Sequence, residues 1–155
     1  MKVASVNLVD ESASVKLAAV LAGALVTPLV LTFSGDIGAG KTTFIRAMLR
    51  ALGVKTAIKS PTFSLVESYS CGEWLINHFD LYRIHDETEL EYIGFRDYFL
   101  NNAVCCIEWP ERAMQSLGFV DLNFKFAING GGRLLSLQAS SSAGELLLSY
   151  LVDKQ

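Results

Sequence analysis

A glycine-rich segment in the first third of the chain carries the clearest chemical signal. Residues 35–42 read Gly-Asp-Ile-Gly-Ala-Gly-Lys-Thr, which fits the phosphate-binding pattern G-x-x-x-x-G-K-[ST]. Glycines let such a loop curl so that its N–H groups converge on phosphate oxygens. We expect Lys41 to reach the β- and γ-phosphates, the Thr42 hydroxyl to ligate Mg²⁺, and Thr43 to bond a more proximal phosphate. The predicted nucleotide contacts here are Asp36, Ile37, Gly38, Ala39, Gly40, Lys41, Thr42 and Thr43.

The elements that must flank such a loop are also predicted. The apolar run Leu29–Phe33 indicates a short buried strand that leads into it. A helix is predicted from about Lys41 to Leu52, with Gly53 as its C-terminal stop. The positive end of that helix dipole would face the same anion. A glycine-rich turn that precedes Lys-Thr by chance is therefore the weaker interpretation.

Two acidic residues at predicted strand ends are candidates for metal and water chemistry. Asp80 follows one apolar strand and Glu108 ends another. Ligands of open α/β sheets bind at the carboxyl ends of strands, so Mg²⁺ held by Thr42 would satisfy one or both acids. The alternative is that each acid pairs with a neighbouring cation such as Arg83 or Arg112. Lys41, Asp80 and Glu108 form the predicted catalytic set.

Three further residues near these motifs have open interpretations. Thr62, in the segment Ser60-Pro61-Thr62, could offer its hydroxyl to Mg²⁺ or to the γ-phosphate, or could belong to an ordinary loop. Trp109 could pack on a nucleotide or a partner, or be a half-buried aromatic at a sheet edge. His78 is interpreted as structural, and two histidines without an H-x-x-x-H pattern predict no zinc site.

The remaining elements predict one domain over residues 1–155, a P-loop NTPase-like three-layer α/β sandwich with a mixed parallel and antiparallel sheet. A strand over Val3–Leu8 and a helix to about Leu25 come first. Phe63–Tyr69 and Trp74–Tyr82 would form an antiparallel hairpin. The later predicted elements are helices over Asp86–Tyr92 and Phe95–Leu100, strands over Ala103–Trp109, Asp121–Ile128 and Leu134–Gln138, and a terminal helix.

Composition narrows the possible classes. A formal net charge of −3 lacks the basic excess of a nucleic-acid binder, so RNA contact would need a local patch or a partner protein. The charge-free stretch 17–33 contains Thr27 and Pro28, and is expected to form a helix, a turn and a strand in a cytoplasmic protein. Adjacent Cys105 and Cys106 are expected to fill core positions on opposite faces of a sheet.

Four motifs taken together resemble a known family. They are GDIGAGKTT at 35–43, SPTF at 60–63, HFDLYR at 78–83 and IEWPE at 107–111. In this order they resemble the bacterial TsaE (YjeE) family of tRNA threonylcarbamoyladenosine biosynthesis proteins. Residues 89–94, ELEYIG, also look like that family, and the likeness spans nearly the whole chain.

The resemblance implies an ATPase that works with the TsaD and TsaB proteins, and binds ATP and Mg²⁺. That machinery installs threonylcarbamoyl on adenosine 37 of tRNAs that read ANN codons, and TsaE resets or drives it without being the transferase. By motif, Asp80 resembles the Walker B acid and Glu108 a second metal-side or water-orienting acid. The resemblance adds Ser12, Thr62, Glu111 and Arg133 as nucleotide contacts. It also implies that tRNA is met only through the complex, and that no membrane is involved.

Other functions remain open at this stage. A small-molecule kinase would need a lid and an arginine-rich acceptor pocket, and no such lid is apparent. A nucleotide-gated interaction module would need binding without hydrolysis. A GTPase is disfavoured because no N/T-K-x-D-like motif appears. Turnover of the isolated chain is expected to be slow, because no internal arginine finger is evident.

Overall fold

Seven strands form one sheet in the computed structural model, which describes residues 2–153. The strands are β1 (Lys2–Leu8), β2 (Leu29–Ser34), β3 (Val66–Cys71), β4 (Trp74–Asp80), β5 (Ala103–Glu108), β6 (Leu122–Asn129) and β7 (Gly132–Ala139). The helices are α1 (Glu11–Ala24), α2 (Lys41–Ala51), the short α3 (Glu89–Tyr92) and α4 (Ser142–Asp153), with 3₁₀ turns over Phe95–Tyr98 and Pro110–Ala113. Within the described residues, no helix has the length and apolar character needed to cross a bilayer.

The strand order places a parallel centre between antiparallel edges. The order is β1-β7-β6-β2-β5-β4-β3, in which β6, β2, β5 and β4 are parallel. The pairs β1–β7, β6–β7 and β3–β4 are antiparallel. The predicted α/β fold with a mixed sheet is thus confirmed. All four central strands end at the same edge of the sheet, where ligands of such folds bind.

The register at that edge brings together the residues that matter most for chemistry. Glu108 at the end of β5 is the Cα partner of Phe33 in β2 on one side. On its other side it is the partner of Asp80 in β4. The phosphate-binding segment follows β2 directly, so both acids lie beside it.

Two hydrophobic clusters cover the two faces of the sheet. On one face, α1, α2 and α4 pack on the strands, and Phe33 stacks on Phe124 at 4.7 Å between ring centroids. On the other face, α3 and the 3₁₀ turns cover the centre of the sheet around Phe79. Cys106 lies in the first cluster and Cys105 in the second, which confirms the prediction that they point to opposite faces.

The third layer covers only part of the sheet. Along β1, β7 and β6, the residues that face away from the helices are polar or exposed, among them Ser5, Asn7, Gln138 and Lys125. The predicted three-layer sandwich therefore holds over β2, β5 and β4, whereas the β6–β7–β1 portion has two layers.

Two predicted strands differ from the structure at the cleft end of the hairpin. The strand predicted from Phe63 begins at Val66, because residues 61–64 form turns and Phe63 is 85% exposed. The strand predicted to reach Tyr82 ends at Asp80, whose Oδ1 accepts the Tyr82 amide at 3.1 Å and starts a turn. The predicted strand over Ala103–Trp109 corresponds to β5, which stops before Trp109 because that residue has a φ of 59°.

The helices after the hairpin are shorter than predicted. The helix expected from Asp86 begins at Glu89, whose carboxylate accepts the His85 and Asp86 amides at 3.0 Å each and so holds the turn that precedes the helix. The one expected over Phe95–Leu100 is a single 3₁₀ turn, Phe95–Tyr98. Elsewhere the predicted bounds agree with the structure to within two residues. Asp10 caps α1 through Ala13 N at 2.9 Å, and Gly53 follows α2 with a φ of 91°.

Candidate functional site

The loop between β2 and α2 depends on glycines with positive φ. Gly35, Gly38 and Gly40 have φ values of 131°, 79° and 107°. A Cβ on Gly35 would lie 2.3 Å from the carbonyl oxygen of Phe126, so β6 passes too close for any side chain there. Only glycine tolerates both the positive φ and the close approach of β6 at this position. The loop therefore curls tightly against the sheet and delivers the chain into α2.

A cavity of about 590 Å³ opens beside this loop at the carboxyl ends of the parallel strands. Its lining comes from the loop, the acids at the strand ends, the start of α1 and the β6–β7 turn. The lining residues are Asp10, Glu11, Ser14, Ile37, Gly38, Gly40, Lys41, Thr42, Thr43, Thr62, Asp80, Tyr82, Glu108, Trp109, Gly131, Gly132 and Arg133.

Lys41 lies at the centre of the cleft and is almost wholly buried. Its ammonium group donates to the carbonyl oxygens of Gly35 and Asp36, the latter at 3.4 Å, and lies 3.9 Å from the centroid of the Trp109 ring. Burial lowers the pKa of Lys41, and the nearby carboxylates, Glu108 foremost, oppose that shift. The amine thus sits among several anions without a close ion pair to any of them.

Thr42 and Glu108 are joined across the cleft. The Thr42 hydroxyl is 2.8 Å from Oε1 and 2.9 Å from Oε2 of Glu108. Because a carboxylate only accepts, the hydroxyl is the donor. The first turn of the helix after the phosphate loop is therefore bonded to the acid that ends β5.

His78 also contacts Glu108, which the sequence interpretation missed. Its Nε2 lies 2.6 Å from Oε2 of Glu108, and both side chains are buried. One signal was available in the sequence. His78 is two positions before Asp80, so on a strand both side chains point to the same face.

Asp80 is bonded to Thr62 in the segment Ser60-Pro61-Thr62. The Thr62 hydroxyl donates to Asp80 Oδ2 at 3.1 Å, and Ser60 and Thr62 share a hydrogen bond of 2.7 Å between their hydroxyls. Thr62 therefore lies within the site rather than in a distant loop. Trp109 also lines the cleft, and its ring centroid lies 4.9 Å from that of Tyr82.

Arg133 holds the phosphate loop from the β6–β7 side. Its Nε donates to the Ala39 carbonyl at 2.8 Å, and one terminal nitrogen donates to the Gly38 carbonyl at 3.2 Å. The other terminal nitrogen donates to the Gly132 carbonyl at 2.8 Å. The guanidinium group thus fixes the turn of the loop while it also lines the cleft.

The structure brings most of the predicted residues together, though not all in the predicted way. Ten of them line the cleft: Ile37, Gly38, Gly40, Lys41, Thr42, Thr43, Thr62, Asp80, Glu108 and Arg133. Asp36 and Ala39 instead offer backbone carbonyls to Lys41 and Arg133.

Two residues suggested by the resemblance lie outside the lining among residues 2–153. Ser12 is exposed, and its helix contributes Asp10, Glu11 and Ser14 to the cleft instead. Glu111 is exposed on a 3₁₀ turn and acts on the cleft only through its charge near Lys41. Asp10 and Glu11 were missed because the β1–β7 pairing, which brings the start of α1 to the cleft, cannot be read from local sequence.

The oxygen atoms of this cleft suit a hard divalent cation. Mg²⁺ in nucleotide sites takes one or two carboxylates and completes its shell with phosphate and water. The Thr42 hydroxyl and the carboxylates of Glu108 and Asp80 supply such ligands. Within the part of the chain that the structure describes, no three His, Cys, Asp or Glu side chains form a metal cage. The donor set therefore fits an ion shared with a bound nucleotide.

The phosphate loop between a parallel strand and a helix, with acids at the neighbouring strand ends, defines the class of the P-loop nucleotide-binding proteins. The family model described as threonylcarbamoyl adenosine biosynthesis protein TsaE matches residues 8–133. The chain belongs to the TsaE family, as its motifs indicated.

Individual relatives agree with that assignment. A Haemophilus influenzae protein named tRNA threonylcarbamoyladenosine biosynthesis protein TsaE is 40% identical over 121 residues, which cover 78% of this chain and 77% of that protein. The protein of the same name from Rickettsia conorii is 33% identical over 153 residues, which cover 95% and 86%. The crystal structure of YdiB from Bacillus subtilis superposes with a TM-score of 0.79 at 27% identity, over 99% of this chain and 96% of that one.

Proposed function

We propose that this chain is a Mg²⁺-dependent ATPase that serves the threonylcarbamoyl modification of adenosine 37 in tRNAs reading ANN codons. Relatives at 33–40% identity are named for that biosynthesis. The observation that supports ATP hydrolysis best is the contact between Thr42 and Glu108 at 2.8 Å. It joins the predicted metal ligand of the phosphate loop to an acid at the end of the adjacent strand.

Each part of the cleft has a role in this proposal. The backbone N–H groups of the loop and the Lys41 ammonium group bind the phosphates. Thr42, Asp80 and Glu108 hold Mg²⁺, and Glu108 or Thr62 orients the attacking water. When bound there, Mg²⁺ would supply positive charge that offsets the negative charge on the phosphates. Arg133 keeps the loop in shape through its bonds to the Gly38 and Ala39 carbonyls.

Hydrolysis by the isolated chain should be slow. The Lys41 ammonium group is engaged by loop carbonyls and by the Trp109 ring, and the Arg133 guanidinium group is engaged by the loop. The Arg133 guanidinium group is therefore not a free cation that could act on a γ-phosphate, so a partner would complete the site. We propose that TsaD and TsaB are these partners, in the cytoplasm. Because the chain is acidic overall, tRNA would be met through the complex.

A hydrolysis assay with and without the partners tests this proposal. The wild-type chain with Mg²⁺ should turn over slowly alone and faster with TsaD and TsaB, and chelation of the metal should abolish activity. Lys41→Ala should lose it in both settings. Lys125→Ala, on the exposed face of β6, is the matched control and should behave as wild type. Fast hydrolysis by the lone chain that ignores the partners would contradict the partner-completed site.

Two further variants separate hydrolysis from nucleotide gating. Asp80→Asn and Glu108→Gln should bind ATP but fail to hydrolyse it, and cells that depend on them should lack the modified adenosine. If the modification persists in such cells, the chain acts as a nucleotide-gated interaction module, and hydrolysis is dispensable.

A further inference from the structure

His78 approaches the Glu108 carboxylate from the side opposite the phosphate loop. On the sheet, His78 in β4 is the Cα partner of Cys106 in β5, and Glu108 lies two residues further along β5. Side chains two apart on a strand share a face, so the two residues are diagonal neighbours on the face that carries α2. The contact is short, 2.6 Å from Nε2 to Oε2, and both side chains are at most 3% exposed.

This contact is the one hydrogen bond of the imidazole. Across residues 2–153, His78 Nδ1 is the single buried side-chain nitrogen or oxygen without a hydrogen-bond partner. Since an ionised carboxylate can only accept, Nε2 must carry the proton that it donates to Glu108. The ring therefore fits the Nε2–H tautomer, in which Nδ1 has no proton that needs an acceptor.

A histidine that only filled space would be a poor choice at this position. A buried polar atom without a partner costs about 1–3 kcal/mol, and an aliphatic side chain of similar volume would avoid that cost. Unlike an aliphatic side chain, the imidazole has an N–H group that can donate a hydrogen bond in a defined direction. Glu108 is the group that receives it.

Glu108 accepts hydrogen bonds from Thr42 and from His78. Binding of the metal would affect these two bonds differently. The Thr42 hydroxyl reaches both carboxylate oxygens from the cleft side, and its oxygen is the proposed Mg²⁺ ligand. The hydrogen bond from Thr42 to Glu108 must therefore change when the metal binds. His78 lies beneath the cleft in the sheet, away from the nucleotide, and can keep its bond to Oε2 throughout.

We propose that His78 is a positioning residue, whose Nε2–H holds the Glu108 carboxylate in the orientation that ATP hydrolysis requires. This inference rests on the proposed ATPase function, in which Glu108 acts on the metal or on water. His78 touches neither in this arrangement and acts through Glu108. Its loss should therefore reduce kcat and leave KM nearly unchanged.

Three variants test the role by kinetics in the presence of the partners. His78→Leu removes the donor at similar volume, and kcat should fall about 10- to 100-fold, the usual cost of removing a residue that orients a ligand group. His78→Gln places an amide N–H near the former Nε2 and should recover most of kcat. His85→Leu removes the exposed histidine and should match wild type.

Several results would overturn the assignment. Equal loss in the Leu and Gln variants, or a change confined to KM, would mean that His78 does not act through Glu108. Thermal unfolding of every variant checks that the fold survives. If the Leu variant does not fold, His78→Asn replaces it, because its amide is too short to reach Glu108.

A second measurement does not depend on hydrolysis. In ¹⁵N-histidine NMR of the full chain, His78 should carry a proton on Nε2 whose chemical shift reports the short hydrogen bond, and Glu108→Ala should move that shift. A wild-type ring without a proton on Nε2 would refute the inference. If wild type with its partners hydrolyses no ATP, the proposed function fails, and the NMR result still decides whether His78 donates to Glu108.

Discussion

The hydroxyl of Thr42 bonds both carboxylate oxygens of Glu108, although 66 positions separate the two residues in the chain. The contact connects the start of α2 to the end of β5. It also links the phosphate loop directly to the nearest acid.

Replacement of Thr42 by valine should weaken the binding of Mg·ATP. Valine keeps the branched shape but removes both the hydrogen bond to Glu108 and the proposed metal ligand. The contact that valine cannot make is the one with bound Mg²⁺, and loss of a contact to a charged group costs about 1.5–3 kcal/mol, or roughly a 10- to 100-fold loss of affinity. Titration calorimetry with ATP in the presence of Mg²⁺ measures this affinity. Thr42→Ser keeps the hydroxyl and should bind normally, and equal affinity of the two variants would contradict the role.

Replacement of Arg133 by alanine should loosen the phosphate loop. The variant loses the bonds to the Ala39 and Gly38 carbonyls, so the loop must be ordered by the ligand itself. We expect ATP affinity to fall roughly tenfold, or about 1.4 kcal/mol, in equilibrium binding. The control is Arg46→Ala, an exposed arginine of α2. Unchanged affinity in the Arg133 variant would show that the loop keeps its shape unaided.

Gly35→Ala should destabilise the fold more than Gly53→Ala. Both glycines have positive φ, 131° and 91°, so each substitution strains the backbone by about 1–3 kcal/mol. At Gly35 the new Cβ also meets the Phe126 carbonyl oxygen at 2.3 Å, whereas nothing lies within 4 Å at Gly53. Overpacking adds about 1–3 kcal/mol more. Urea unfolding compares the two, and an equal loss of stability would mean that β6 can move away.

The unfolding free energy should decrease between pH 9 and about pH 11, in part because of Cys105. Burial raises the pKa of this thiol from 9.0 to about 11. Between those values the unfolded thiol loses its proton while the folded thiol keeps it, so rising pH favours the unfolded chain. Cys105→Ala should reduce the difference between urea unfolding at pH 8 and at pH 10. Cys71→Ala controls for loss of a thiol, and an unchanged difference in the Cys105 variant would refute the assignment.

The sequence predicted the functional residues of this cleft better than the bounds of the strands and helices around it. The phosphate loop with its flanking strand and helix could be predicted because glycine spacing and an apolar run are local signals. Asp80 and Glu108 were placed correctly at strand ends, since parallel strands share a carboxyl edge. Phe63, by contrast, reads as a strand residue from its type alone. Its exposure follows from a turn that bonds Thr62 to Asp80.

Contacts that depend on strand order were beyond prediction. His78 touches Glu108 only because β4 lies next to β5 in one particular register. Likewise, Asp10 and Glu11 reach the cleft because β1 pairs with β7 far along the chain, where Leu8 is opposite Arg133. Ser12 has a suitable side chain and lies on the same helix turn, but it faces solvent. Residue type near a helix start does not determine which side chain points inward.

Among the described lining residues, the cleft holds four carboxylates, those of Asp10, Glu11, Asp80 and Glu108, and two cationic side chains. An uncomplexed triphosphate would meet repulsion there, whereas the magnesium complex brings its own countercharge. We therefore expect the cleft to favour the metal-bound nucleotide through long-range electrostatics. Added salt should then strengthen the weak binding of metal-free ATP, because the Debye length falls to about 10 Å at 0.1 M. Titrations at rising ionic strength measure this dependence, and the opposite trend would show that the loop amides outweigh the carboxylates.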